Sequence, residues 1–173
     1  MEGLNLRIFK IFSMCILMII FLNACSLETT KTKSGILEIP NEDEYTTLLV
    51  QGVDEDGLTS QSTSKVITDI NEIQAFIEKV NKMEVVQPPN KELLEKSKEL
   101  NKKGNYFFVL SDKETMDNKV YTINFFSDGR IMFQEPNGKK QETNGAEQKM
   151  MYLSKEKHSE VLLEMKELLN IKF

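Results

Sequence analysis

Apolar residues change their spacing several times along this chain, and each change marks a different kind of segment. Ile8 to Leu22 is almost continuously apolar, with Arg7 before it and Lys10 near its start. A basic n-region, the apolar run Ile11 to Leu22 and then small residues form the layout of a secretory signal peptide. A membrane-crossing helix needs about 20 apolar residues, and this stretch is shorter and broken by Lys10 and Ser13. From Ser26 to Glu44 apolar residues thin out among Thr, Lys and Glu, with Pro40, which predicts a flexible tether. As a coil it would span roughly 25 Å.

Regular periodicity begins at Tyr45. Thr46 to Val53 is rich in β-branched and aliphatic residues and runs into Asp54-Glu55-Asp56-Gly57, a turn signal. A second strand around Lys65 to Thr68 would pair back as a hairpin. Between Asp69 and Lys82 the spacing becomes helical, with Ile70, Ile73, Ile77 and Val80 on one stripe and Phe76 beside it. Asp69-Ile70-Asn71-Glu72 fits a capping box. Pro88-Pro89 excludes helix, and Asn90 to Lys103 predicts a charged helix with only Leu93, Leu94 and Leu100 to bury.

Period 2 dominates after that. Tyr106 to Leu110 is a continuous apolar run and predicts a central strand covered on both sides. Val120 to Phe126 and Ile131 to Glu135 flank Ser127-Asp128-Gly129-Arg130, a hairpin signal. With a three-residue loop and Gly129 left-handed, Phe125 pairs with Ile131 and Ile123 with Phe133. Tyr121, Ile123, Phe125, Ile131 and Phe133 then share one face, while Thr122, Asn124, Met132 and Gln134 share the other. A two-residue loop would mix aromatic and polar residues on both faces, so burial selects the longer loop. Pro136-Asn137-Gly138-Lys139 predicts another turn, then Lys149 to Leu153 a strand. Ser154 is placed as the cap of a last helix, Lys155 to Leu169, with Val161, Leu162, Met165, Leu168 and Leu169 on its stripe. The expected fold is α+β: an antiparallel β-meander with amphipathic helices on one face, two layers in a single domain.

Leu22-Asn23-Ala24-Cys25 resembles the lipobox of bacterial lipoproteins, and the whole layout is similar to small lipoproteins of Bacillota. The resemblance implies cleavage between Ala24 and Cys25, a diacylglycerol with acyl chains such as palmitate on the Cys25 thiol, and attachment to the outer face of the cell membrane. Residues 1–24 would be the leader, 25–44 the lipidated N-terminus and tether, and 45–173 the globular domain. Two acyl chains hold a protein stably where one does not.

Composition narrows the chemistry. The chain carries 22 Lys and Arg against 27 Asp and Glu, a formal net charge of −5, and loss of the leader makes the remainder more acidic. Such a balance argues against a nucleic-acid partner. Of the two cysteines, Cys15 lies in the leader and Cys25 would be spent on lipid, which leaves no thiol for a disulfide, a thiolate metal site or a nucleophile. His158 is the only histidine and sits among charged residues, where a surface role is expected.

Three short patterns invite chemistry and are weak. Ser154-Lys155-Glu156-Lys157 matches the S-x-x-K of penicillin-binding proteins and β-lactamases, without the Ser-Asp-Asn and Lys-Thr-Gly that complete that site. Asp54-Glu55-Asp56-Gly57 fails as a calcium loop, since an EF-hand would need oxygen ligands where Leu58 and Lys65 stand. Carboxylates are many, but none forms a pair set apart from the charged helix faces. No cofactor, metal or catalytic residue is expected. Phe126 and Phe107 are expected to offer an exposed contact to an envelope protein or ligand. These features point to a non-enzymatic binding or accessory module. An envelope hydrolase using carboxylates or Ser154, and a lipoprotein immunity or exclusion factor, are the alternatives.

Overall fold

Antiparallel pairing organises the chain from its first described strand in the computed structural model, which describes residues 33–134, 141–143, 146–148 and 151–173. The leader, Ala24, Cys25 and the turn expected at 136–139 lie outside the described residues. In chain order the strands are β1 (Ser34–Ile36), β2 (Thr47–Gly52), β3 (Ser64–Ile67), β4 (Glu84–Val86), β5 (Tyr106–Ser111), β6 (Val120–Phe125), β7 (Ile131–Gln134), β8 (Gln141–Thr143), β9 (Ala146–Gln148) and β10 (Met151–Ser154). The helices are α1 (Ile70–Val80), α2 (Asn90–Lys98) and α3 (Ser159–Leu168). Eight strands make one antiparallel sheet in the order β1-β4-β10-β7-β6-β5-β2-β3, and β8 pairs with β9 separately. The fold is α+β.

One sheet face carries the main core. Leu48 and Val50 of β2, Phe108 and Leu110 of β5, Tyr121, Ile123 and Phe125 of β6, and Ile131 and Phe133 of β7 are all buried on it. Helix α1 lays Ile73, Phe76, Ile77 and Val80 across these residues, and α3 adds Val161 and Met165. Phe76 stacks on Phe108 at a ring separation of 4.9 Å, and Phe108 meets Phe125 at 5.0 Å. The strand alternation is the one read from the sequence, and so is most of each helical stripe, but Ile70 of α1 and Leu168 of α3 are exposed, at 47% and 39%. Asp69 caps α1 by accepting from the Asn71 N–H at 2.8 Å, the second helical position rather than the third of a capping box. The expected β6–β7 register is also present: Phe125 faces Ile131, Ile123 faces Phe133, and Gly129 is left-handed at φ 87°.

Four readings of local sequence give way to tertiary contacts. Residues 34–44, expected in the tether, belong to the folded unit. β1 pairs with β4, and Leu37 and Ile39 are buried against the core. The Leu37 N–H donates to Met83 O and the Ile39 N–H to Asn81 Oδ1, both at 2.9 Å, so the end of α1 holds this segment. Helix α2 stops at Lys98 instead of Lys103. Beyond it the Asn105 side chain donates to the Glu99 and Leu100 carbonyls and satisfies acceptors that a helix end leaves free. β5 alternates buried with half-buried residues rather than being covered on both sides. Ser154 closes a strand, opposite Val85, and α3 begins five residues later at Ser159.

The α1–β4 link carries local strain. Lys82 has a φ of 66°, the left-handed region that favours glycine, and its N–H donates to Leu37 O at 2.9 Å. Lys82→Gly should therefore stabilise the fold by about 1 kcal/mol, the order of the left-handed penalty. Thermal unfolding checks it: the midpoint should rise by about 2–4 °C. In the opposite direction, Phe76→Ala should cost about 3–5 kcal/mol in urea unfolding, because it empties the stack over Phe108.

Candidate functional site

The sheet's second face is where the chain leaves apolar surface incompletely covered. Cross-strand register sets its residues in rows. One row runs Val66, Leu49, Val109, Thr122, and the next Ser64, Gln51, Phe107, Asn124, Met132, Leu153, Val86. Helix α2 and the turn after it cover one end, where Leu93 and Leu100 pack with Val86 and Met151 around Phe126, Met132 and Leu153. The other end is more open. Val66 is 56% exposed, and Leu49, Phe107 and Val109 are half-buried. Phe107, expected to be exposed, is half-buried on this face beside Asn124.

Asn124 sits at the boundary between the halves. Its residue is buried and its side-chain Oδ1 has no hydrogen-bond partner among the described residues, and the same holds for Thr47 Oγ1 on this face. An unpaired buried acceptor costs about 1–3 kcal/mol, so the amide between Phe107 and Met132 is a local cost to stability. The sequence put Asn124 on this face but gave no sign that it would be buried without a partner.

Phe126 is placed differently from the expectation. It is 3% exposed and lies beneath Lys96 of α2, whose Nζ stands 4.7 Å from the ring centroid. The same ammonium donates to Glu99 Oε2 and to Asp128 Oδ2 at 2.8 Å each. Arg130 adds a bond to Glu92 Oε1 at 3.0 Å and another to the Lys155 carbonyl at 3.0 Å. Lys157 approaches Asp128 at 3.7 Å, and Lys102 reaches Glu99 at 3.0 Å. Of these contacts, Lys96–Asp128 and Arg130–Glu92 join α2 to the β6–β7 hairpin. Burial pushes the Asp128 carboxyl up, but the Lys96 hydrogen bond, the Arg130 N–H and Lys157 outweigh it and hold the group below its ordinary range. Lys96 and Lys102 lower Glu99 likewise. Desolvation lowers Lys96, and its two carboxylates more than restore it.

The remaining candidates separate in space. The buried Ser154 hydroxyl donates to Glu156 O at 2.6 Å and accepts from the Ile131 N–H at 3.1 Å, while Lys157 turns to Asp128. The hydroxyl and the lysine of the S-x-x-K pattern are each engaged elsewhere. His158 is partly buried at the start of α3, its backbone N–H donating to Gly129 O at 2.7 Å. Asp54 Oδ1 accepts from the Asp56 and Leu58 N–H groups, and Gly57 has φ 76°, so the acidic run serves its turn. Among the described residues no three His, Cys, Asp or Glu side chains are grouped to hold a metal. Tyr45 is no phenolate, since burial, with Glu44 and Asp112 adding to it, pushes its hydroxyl up to about 12. A cleft of about 400 Å³ beside β1 is lined by Lys33, Ile36, Glu38, Val85, Tyr121 and Tyr152, among others.

Comparison with family models, with curated proteins and with solved structures found no match in any of the three. The functional reading therefore rests on the chain itself.

Two outcomes follow from this face. Asn124→Leu should raise stability in urea unfolding by about 1 kcal/mol, by removing the unpaired acceptor. A loss of stability would mean that the amide has a structural partner. The Asp128 and Glu99 carboxyls are depressed, so their contribution is present above their unfolded values and lost as pH falls through the folded ones. A pH series of unfolding midpoints should show Lys96→Met losing part of wild-type stability at neutral pH. The gap should close below the ordinary carboxylate range.

Proposed function

We propose that this protein is a lipid-anchored domain on the extracytoplasmic face of the cell membrane, working as a non-enzymatic binding or accessory module of the cell envelope. The observation that carries the reading is Leu22-Asn23-Ala24-Cys25 directly behind a basic and then apolar leader. Lipid on Cys25 is the attachment, and cleavage after Ala24 makes that cysteine the N-terminus. The fold adds a distance constraint. β1 opens at Ser34, so the link from Cys25 reaches at most roughly 30 Å even when fully extended. A domain tied that closely works beside the bilayer.

A binding role is supported by the half-open face rather than by any grouped reactive side chains. Phe107, Leu49 and Val109 form a half-buried apolar surface around the unpaired Asn124, a pattern suited to contact with an envelope protein or ligand. The hydrolase alternative would need a free nucleophile or converging carboxylates, and the Ser154 hydroxyl is already bonded on both sides.

Metabolic labelling with palmitate and membrane fractionation test the anchor. Wild-type protein should carry label and sediment with membranes. Cys25→Ala should lose the label, escape cleavage after Ala24 and keep the circular dichroism of the folded domain. A Cys25→Ala protein found in membranes with its leader removed would overturn the proposal. The binding role has its own check: saturable capture of an envelope component should be lost in Phe107→Asp and retained in Leu163→Asp, an exposed position on α3.

A further inference from the structure

We infer that α2 is a detachable cover, able to leave the sheet while the main core stays folded, and that its departure opens the second sheet face across its full width. The packing is already divided in the way this requires. Phe126, Met132 and Leu153 form a cluster separate from the main core, and α2 with its following turn closes that cluster through Leu93 and Leu100. Helix α2 itself has no buried residue, and Leu94 on its outer side is 60% exposed. Its removal leaves every main-core contact of α1, α3, β2, β5, β6 and β7 in place. Contrast α1, which buries four side chains in that core.

The attachment is of a releasable kind. It consists of a small apolar patch plus ionic contacts at the hairpin tip: Lys96 with Asp128 and Glu99, Arg130 with Glu92, and Lys96 over Phe126. These ion pairs reach solvent through their carboxylates, Glu92 45% and Asp128 38% exposed, so salt screens them in part. The helix has nine residues and begins after Pro88-Pro89 without a side-chain cap. Helices below about 12 residues are marginal by themselves, so α2 loses its structure once it leaves the sheet. Both ends of the segment are held independently. The Gln87 N–H donates to Lys33 O, and Asn105 accepts from the Ser127 N–H on its side chain, each at 2.8 Å. Segments with few buried apolar contacts open at lower free energy than the core they rest on.

The surface released is continuous with the open half. Met132 and Leu153 extend the row that already contains Phe107 and Asn124, so opening joins two partial apolar patches into one strip from β3 to β4.

Neighbouring residues on opposite faces supply the test. Met132 and Phe133 are 1% and 0% exposed, so a cysteine at either position is shielded in the closed fold. Met132→Cys and Phe133→Cys are made separately in the full chain. Labelling by a thiol reagent under native conditions is followed by peptide mass spectrometry, which separates these sites from Cys15 and Cys25. Met132→Cys should label at least about 100-fold faster, because α2 opening exposes position 132 and only global unfolding exposes position 133. Phe133→Cys is the more destabilising change, so its bias runs against the inference. Equal rates would overturn it.

Hydrogen exchange gives a second reading free of new thiols. Ile77→Val should reduce protection of β5 and β6 amides about 2- to 10-fold while leaving residues 91–98 unchanged, since the core is intact in the opened state. A parallel loss in both regions would show that α2 opens only when everything unfolds, and the inference would fail.

Discussion

The backbone at Gly129 couples the register of the sheet to the start of the last helix. Its φ of 87° lets a three-residue loop join β6 to β7, and that loop length sets which residues face each other. A shift of one residue would turn Ile123, Phe125, Ile131 and Phe133 away from α1 and set Asn124 and Thr122 against it. The same glycine also has no room for a side chain. A Cβ placed there would come within 2.5 Å of Ser159 Oγ and 3.2 Å of its backbone nitrogen. Because the His158 N–H donates to the Gly129 carbonyl, the start of α3 rests on this turn. Register of the sheet and placement of the last helix thus share one residue.

From that register follow two faces with different physics. On the first, aromatic and aliphatic side chains interlock with α1 and α3, and stability depends on close packing about Phe76, Phe108 and Phe125. On the second, three buried apolar residues and a set of ion pairs hold a single short helix, while Leu49, Val66, Phe107 and Val109 are left partly bare. The unpaired Asn124 lies between these zones. An apolar side chain there would remove the cost of the unpaired acceptor, so the second face is less fully satisfied than the first.

Legibility depended on how local each cause was. The β6–β7 hairpin and α1 could be read because their spacing, turn residues and caps lie within a few positions of one another. Ser154 could not. A serine hydroxyl satisfies a helix start or a strand end equally well, and only the Ile131 N–H and the Glu156 carbonyl decide between them. The segment 34–44 looked like tether because a three-residue edge strand has too few residues to show a period. Its partners, Glu84 to Val86, are far along the chain. Phe126 was read as exposed because its own strand neighbours are polar, whereas its cover, Lys96, comes from a helix whose sequence shows only a thin apolar face.

By itself, then, the sequence determined the strands β2, β3, β5, β6, β7 and β10, the core stripes of α1 and α3, and the register across Gly129. Each is set by the order of residues over a short span, where steric and solvation preferences act without reference to the rest of the chain. Only the tertiary structure decided that α2 crosses to the second face, that Phe126 is buried and Phe107 half-open, and that Asn124 is left without a partner. These outcomes depend on surfaces brought together from distant segments, and the free energy of such contacts belongs to the pair rather than to either sequence.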